Sequence, residues 1–222
     1  AVFALVSVLA LATSEAASQQ PAADLVLRGG TIYPGDAAPF RGDVAIRGDH
    51  IVYVGPQAPG GARRTIDASG LIVAPGFIDP HTHVNGALAS GDPTARLVLP
   101  FLTQGVTTAF IGVDGGGSPD IGHGILSSGA EGEGQSHRDF GINFASYVGL
   151  GAVRTQVIGA DDREPGAAEL QQMVALVDSA MCKGAFGLST GLFYAPQSFA
   201  KRDEVVALAR AAAARGGVYD SH

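Results

Sequence analysis

The stretch PGFIDPHTH, residues 75–83, divides this sequence. Before it the pattern is short and strand-like; after it, candidate strands are separated by helical stretches. Side chains of an extended segment alternate between faces, so Asp79, His81 and His83 are expected on one side. Two imidazoles two residues apart can ligate one divalent ion, with the Asp carboxylate as a neighbour. A bare His-x-His also occurs in ordinary surface sequence. The setting favours the metal reading, because the Pro-Gly entry and apolar Phe77-Ile78 read as a buried strand that carries the histidines out at its end.

Upstream lie LVLRGGTIY (25–33), GDVAIRGDHIVYVG (42–55) and RRTIDASGLIV (63–73). Val44 and Ile46 alternate with polar neighbours, and Arg47-Gly48-Asp49-His50 sits where a hairpin would turn. This is a small strand-rich unit. Downstream, strands are expected at 76–83, 106–112, 141–149, 185–190 and 217–222. Leu170, Val174, Val177 and Met181 share a helical face after Pro165, and Val205, Leu208, Ala209 and Ala212 share another, closed by Gly216-Gly217. Residues 93–104 form a weaker helix, and 112–134 read mostly as loop. Strand and helix in repeated order imply parallel pairing through right-handed crossovers.

The chain has 222 residues, 46% hydrophobic and 16% charged, against about 25% charged in an average domain. A sizeable interior is implied. The formal charge is −7 with a pI near 5.2, and no Lys/Arg stripe follows a phosphate backbone, which argues against a nucleic-acid partner. Residues 1–12, AVFALVSVLALA, are too short to span a bilayer and are followed by small and polar residues. They read as part of a signal peptide over 1–18, with a buried first helix as the other reading. The signal reading implies secretion or a periplasmic location, with no membrane span after its removal. With Cys182 as the single cysteine, no intrachain disulfide can form. Lacking an initiator Met, and stopping on the imidazole of His222 without a polar tail, the sequence reads as a fragment.

The ordered series of the β-unit, PGFIDPHTH, GVTTAFIG (105–112), GAFGLSTGLFYAP (184–196) and GGVYDSH (216–222) resembles the amidohydrolase superfamily, specifically its N-acyl-D-amino-acid deacylase branch. The likeness runs from about Asp24 to His222. It implies an α/β fold: residues 74–222 as about the first five strands of a (β/α)8 TIM barrel, and residues 19–73 as the N-terminal part of a small β-sandwich-like domain. It also implies one or two zinc ions at the C-terminal ends of the barrel strands. His81 and His83 match the first-strand metal pair, and His222 matches the fifth-strand metal histidine. A further metal histidine and the general-base Asp are expected beyond residue 222.

One departure concerns the end of strand two. The resembling family presents a metal-binding Cys there, whereas this chain reads IGVDGGG with Asp114. A carboxylate can ligate zinc as a harder donor; it can also merely cap a Gly-rich turn. Cys182, before strand four, does not replace the thiolate, and neither Lys183 nor Lys201 is placed to bridge two metals.

GLSTG (187–191) matches the G-x-S-x-G nucleophile elbow, but Leu192 to Pro196 cannot begin the helix that motif requires. It reads as a loop leaving strand four, with Ser189, Thr190 and Tyr194 facing the mouth. Tyr194 is then a hydrogen-bond donor to substrate or a packing residue. Arg154 meets a substrate carboxylate or pairs at the surface with Asp161 or Asp162. His123 and His137 read as exposed, and Gly115-Gly116-Gly117 lacks the Lys and helix of a phosphate loop.

These readings converge on a zinc-dependent hydrolase cleaving a small-molecule amide, an N-acyl-D-amino acid or related D-residue compound. A cyclic-amide hydrolase of dihydroorotase or hydantoinase type and a non-catalytic exported binding module are the alternatives. Donor atoms of a tetrahedral zinc site lie roughly 3–4 Å apart, so the tips of His81, His83 and Asp114 are expected within roughly 6 Å of one another and His222 within about 8 Å.

Overall fold

The structure is a computed structural model that describes residues 23–121 and 139–222. The signal reading over residues 1–18, and His123 and His137, lie outside the described residues. Contacts divide the chain into two compact units, with the division between Pro75 and Gly76.

In the first unit β1 (Ala23–Ile32), β2 (Phe40–Arg47), β3 (His50–Gly55), β4 (Ala62–Asp67) and β5 (Ile72–Val73) form one sheet. β1, β2 and β3 pair antiparallel, whereas β4 and β5 lie parallel to β1. Among the described residues this unit is a single mixed sheet, where a sandwich-like arrangement was expected. The β2–β3 hairpin turns through Gly48-Asp49, as the alternation of Val44 and Ile46 implies, and Gly48 takes the positive φ of 59° that such a turn requires.

Asp43 braces this sheet. It is buried, and its carboxylate accepts from the Gly29 and Ala58 amides, each at 2.9 Å, and from Arg28 Nη1 at 3.1 Å. Burial pushes its pKa up, but the two amides and the Arg28 charge together outweigh burial and hold it below the ordinary 3.8. A depressed carboxylate stabilises the fold above its unfolded pKa and loses that contribution as pH falls through the folded one. Asp43→Asn should therefore cost about 1–3 kcal/mol at neutral pH. In urea unfolding of wild type and variant, the gap should narrow below about pH 4; a gap that stays constant with pH would contradict this account.

In the second unit β6 (Phe77–Asp79), β7 (Val106–Ile111), β8 (Asn143–Ser146), β9 (Val148–Gly149), β10 (Gly187–Thr190) and β11 (Val218–Ser221) follow one another. Every recorded pair, β6–β7, β7–β8, β9–β10 and β10–β11, is parallel. β8 and β9 are one chain segment interrupted at Tyr147, so one predicted strand serves both neighbours. Between β6 and β7 lie three short helices, α1 (Asn85–Ala89), α2 (Pro93–Arg96) and α3 (Leu99–Leu102). The expected 93–104 helix is split in two because Val98 adopts a left-handed φ of 47°.

α4 (Leu150–Ile158), α5 (Ala167–Cys182) and α6 (Arg202–Ala214) cover β9 and β10. Leu150, Val153, Met173, Val177, Leu188 and Leu208 make this core, each fully buried. A second core of Val84, Leu88, Val98, Ala109 and Ile111 lies under the short helices. On β7, Ala109 and Ile111 thus face that helical side, whereas Phe110 packs with Tyr147 and Phe186 on the other. Phe77 and Ile78 on β6, read as a buried strand, are exposed, and so are Val218 and Tyr219 on β11. These strands are the two edges of the series among the described residues, so one flank of each lacks a neighbour to cover it. No helix among the described residues is long and apolar enough to cross a membrane.

Candidate metal centre

β6 is shorter than the sequence suggests and ends at Asp79, yet alternation persists through the following bend. Thr82 turns inward, where its N–H and Oγ1 both donate to Phe110 O, at 3.0 and 2.7 Å. His81 and His83 consequently project on the other side. Asp79 does not join them: its Oδ1 accepts the His81 backbone N–H at 3.2 Å and shapes the bend.

Asp114 arrives from the end of β7. It adopts a left-handed φ of 56° inside the turn Gly112–Gly117. A Cβ on Gly117 would collide with Tyr147 O, and one on Gly149 with Gly115 O, so only glycine lets this turn press against the β8–β9 break. The close approach accounts for the Gly-rich run that was compared with a phosphate loop. Ser189 and Gln197 clamp the turn from β10 and the segment after it. Ser189 Oγ donates to Gly112 O at 2.5 Å and accepts the Gly115 N–H at 3.1 Å. Gln197 Nε2 donates to Asp114 O at 2.6 Å, while its Oε1 accepts the Gly191 N–H at 2.8 Å.

The Asp114 carboxylate is thereby a hub. Its Oδ1 lies 3.2 Å from His81 Nε2 and 3.1 Å from His222 Nδ1, and its Oδ2 lies 3.3 Å from His83 Nε2. Donor atoms of His81, His83 and Asp114 all fall within 4.8 Å of one another. Such spacing suits ligands of one small ion. On its other nitrogen, Nδ1, His81 meets Asp220 Oδ1 at 3.1 Å. That hydrogen bond above all, set against a lowering by burial and reinforced by the charges of Asp220 and Asp114, raises the His81 pKa. With its Nδ1 proton directed at Asp220, a neutral His81 turns an Nε2 lone pair toward a carboxylate oxygen. Two facing lone pairs repel, so the contact calls for a second proton or a cation between them. A divalent ion placed among these donors satisfies all of them at once and displaces protons in doing so. The donor set, imidazole nitrogen with a carboxylate, suits zinc.

The substrate-contact expectations fare differently. Tyr194 is half exposed, with its ring 5.2 Å from that of His222, at the edge of the cluster. Ser189 is fully buried and occupied with the turn, so it does not face the mouth. Arg154 neither meets substrate nor pairs at the surface. It is fully buried on α4, with Nη1 donating to Glu204 Oε1 at 2.8 Å and Oε2 at 2.6 Å, and Nη2 donating to the Asp161 and Arg163 carbonyls. Cys182, Lys183 and Lys201 stand outside the cluster. Two residues at or behind the site went unread in the sequence: Asp220, legible only as an acid two residues before His222, and Gln197, which carried no signal.

The Amidohydrolase family model matches residues 64–98 of the chain. The D-aminoacylase of Alcaligenes xylosoxydans xylosoxydans is 34% identical over 216 residues, covering 90% of this chain and 44% of that protein. The chain resembles the amidohydrolases, and their D-aminoacylase members over 90% of its length. Among solved structures, that of D-aminoacylase superposes with a TM-score of 0.74 at 32% identity, covering 90% of this chain and 45% of that one. The N-acyl-D-glutamate deacylase of Bordetella bronchiseptica, solved with zinc and a phosphonate mimic of the tetrahedral intermediate, gives 0.73 at 31%, with the same coverage. The parallel strand series is accordingly the first part of the amidohydrolase TIM barrel. The chain spans less than half the length of these relatives.

Proposed function

We propose that this chain carries the metal-binding part of a zinc-dependent hydrolase that cleaves the amide bond of N-acyl-D-amino acids. The observation that carries the reading is the convergence of His81, His83 and Asp114 within 4.8 Å from the ends of two consecutive parallel strands. The deacylases among the relatives supply the substrate class.

His81, His83 and Asp114, with His222 beside them, would hold one or two zinc ions. When bound, zinc supplies Lewis-acid polarisation of a carbonyl oxygen and activation of water near neutral pH. The chain's own groups build the surroundings. Asp114 brings a negative charge to the histidines, and the Gly112–Gly117 turn holds it in register. Tyr194, at the edge, is placed to donate a hydrogen bond to a substrate acyl or carboxylate oxygen. Residues 1–18 would direct export, so the substrate is met outside the cytoplasm. The acid/base Asp is proposed to lie beyond residue 222, on resemblance alone.

Zinc content together with acetate release from N-acetyl-D- and N-acetyl-L-amino acids, measured on the full-length protein that carries the acid/base Asp, tests the proposal. One or two zinc ions per chain, and release from the D series that chelation abolishes, are expected. Metal-free protein without release would overturn the reading and favour a binding module.

A further inference from the structure

Asp220 contacts the cluster through His81 without being counted among its donors. It stands on β11 opposite Ser189 of β10, and its side chain is largely covered, with 16% of its surface accessible. Oδ1 lies 3.1 Å from His81 Nδ1, and Oδ2 is buried without a hydrogen-bond partner. An unpaired carboxylate oxygen in a covered position is costly, so the one bond that Asp220 makes matters more. Tyr147 closes the same corner: its hydroxyl donates to Pro80 O, the carbonyl directly before His81, at 3.1 Å. Burial first, and then the Asp220 charge, raise the Tyr147 pKa, which keeps the hydroxyl a donor.

A neutral imidazole carries its proton on one nitrogen, and the partner of the other nitrogen decides which. Asp220 and Asp114 are both carboxylates that can only accept, but Asp114 Oδ1 is shared with His222 Nδ1 whereas Asp220 Oδ1 faces His81 Nδ1, so the Nδ1 proton is the better held and Nε2 is the nitrogen left to a cation in the cluster. Nε2 is the atom that faces Asp114. We propose that Asp220 is a positioning residue that holds His81 in the Nδ1–H tautomer, with Nε2 turned to the cluster as a metal donor. The ring is held from both ends of its local chain, by Asp220 through the imidazole and by Tyr147 through the backbone. Partners of this kind raise the basicity of a ligating nitrogen and restrict ring rotation, and their loss typically costs about 10–100-fold in metal affinity.

The inference rests on the metal reading of the cluster, but its first measurement needs no metal. Nitrogen-15 imidazole shifts of the full chain, recorded without metal above the titration of His81, should place the proton on Nδ1. In Asp220→Ala the proton should move substantially to Nε2, and in Asp220→Asn, whose amide oxygen still accepts, it should remain on Nδ1. Zinc affinity by chelator competition should then fall about 10–100-fold in Asp220→Ala and less in Asp220→Asn. A wild-type His81 with its proton on Nε2 overturns the proposal whether or not any variant folds. So does an Asp220→Ala protein that keeps both the wild-type tautomer and the wild-type zinc affinity. A wild-type Nδ1–H tautomer in a protein that holds no zinc supports the positioning role and counts against the metal reading alone.

Discussion

His83→Ala is expected to lower zinc affinity by more than about a hundredfold, and His81→Ala by at least as much, because losing a ligand removes more than losing a ligand's hydrogen-bond partner. Hydrolytic turnover, if the proposed activity holds, should fall to background in both. His83 gives the cleaner test. Its side chain is 70% exposed, and its recorded ion-pair partner is Asp114, so the metal-free variant should unfold within about 0.5 kcal/mol of wild type. His81→Ala also strands the Asp220 carboxylate and should show a modest additional loss of stability. Chelator competition and thermal melts of metal-free protein measure the two effects separately. Zinc binding that survives both substitutions would remove the basis for the site.

Arg154→Ala should destabilise the barrel unit by about 3–5 kcal/mol, the usual cost of breaking a buried ion pair from one side. Glu204, itself only 3% exposed, would be left charged in the interior, and two backbone carbonyls would lose their donor. Pairing Arg154→Met with Glu204→Leu should recover part of the loss, since the stranded charge is gone. Recovery should be incomplete because the Asp161 and Arg163 carbonyls remain unsatisfied. Urea unfolding of the two variants measures this. A substrate-binding arginine would behave in the opposite way, raising KM while leaving the unfolding midpoint in place.

Arg154 also shows where sequence reasoning fails. In GLGAVRTQ an arginine beside an apolar run looks like a surface group, and α4 escaped notice because its buried side includes Gly151 and a charge among Leu150, Val153 and Ile158. Only the partner on α6, fifty residues away, makes the charge tolerable. Ser189 misleads for a related reason. A hydroxyl at the end of a barrel strand is chemically competent for substrate contact, and nothing local says that the Gly112–Gly117 turn occupies it. The edge β6 was read as buried from its apolar Phe77-Ile78, which is a statement about neighbours that the described strands do not have.

What the sequence by itself determined is periodic or local. Period-two alternation put His81 and His83 on one side, helical spacing located α5 and α6, and the order of strands and helices required parallel pairing. Position at a strand end marked Asp114. Tertiary structure decided everything that depends on convergence: that Asp114 reaches three imidazoles through a left-handed backbone, that Gln197 and Ser189 hold it there, and that Asp220 stands behind His81. The physical reason is that a hydrogen bond of about 3 Å between residues 139 positions apart is set by the register of neighbouring strands and by close packing, neither of which leaves a local pattern in the chain.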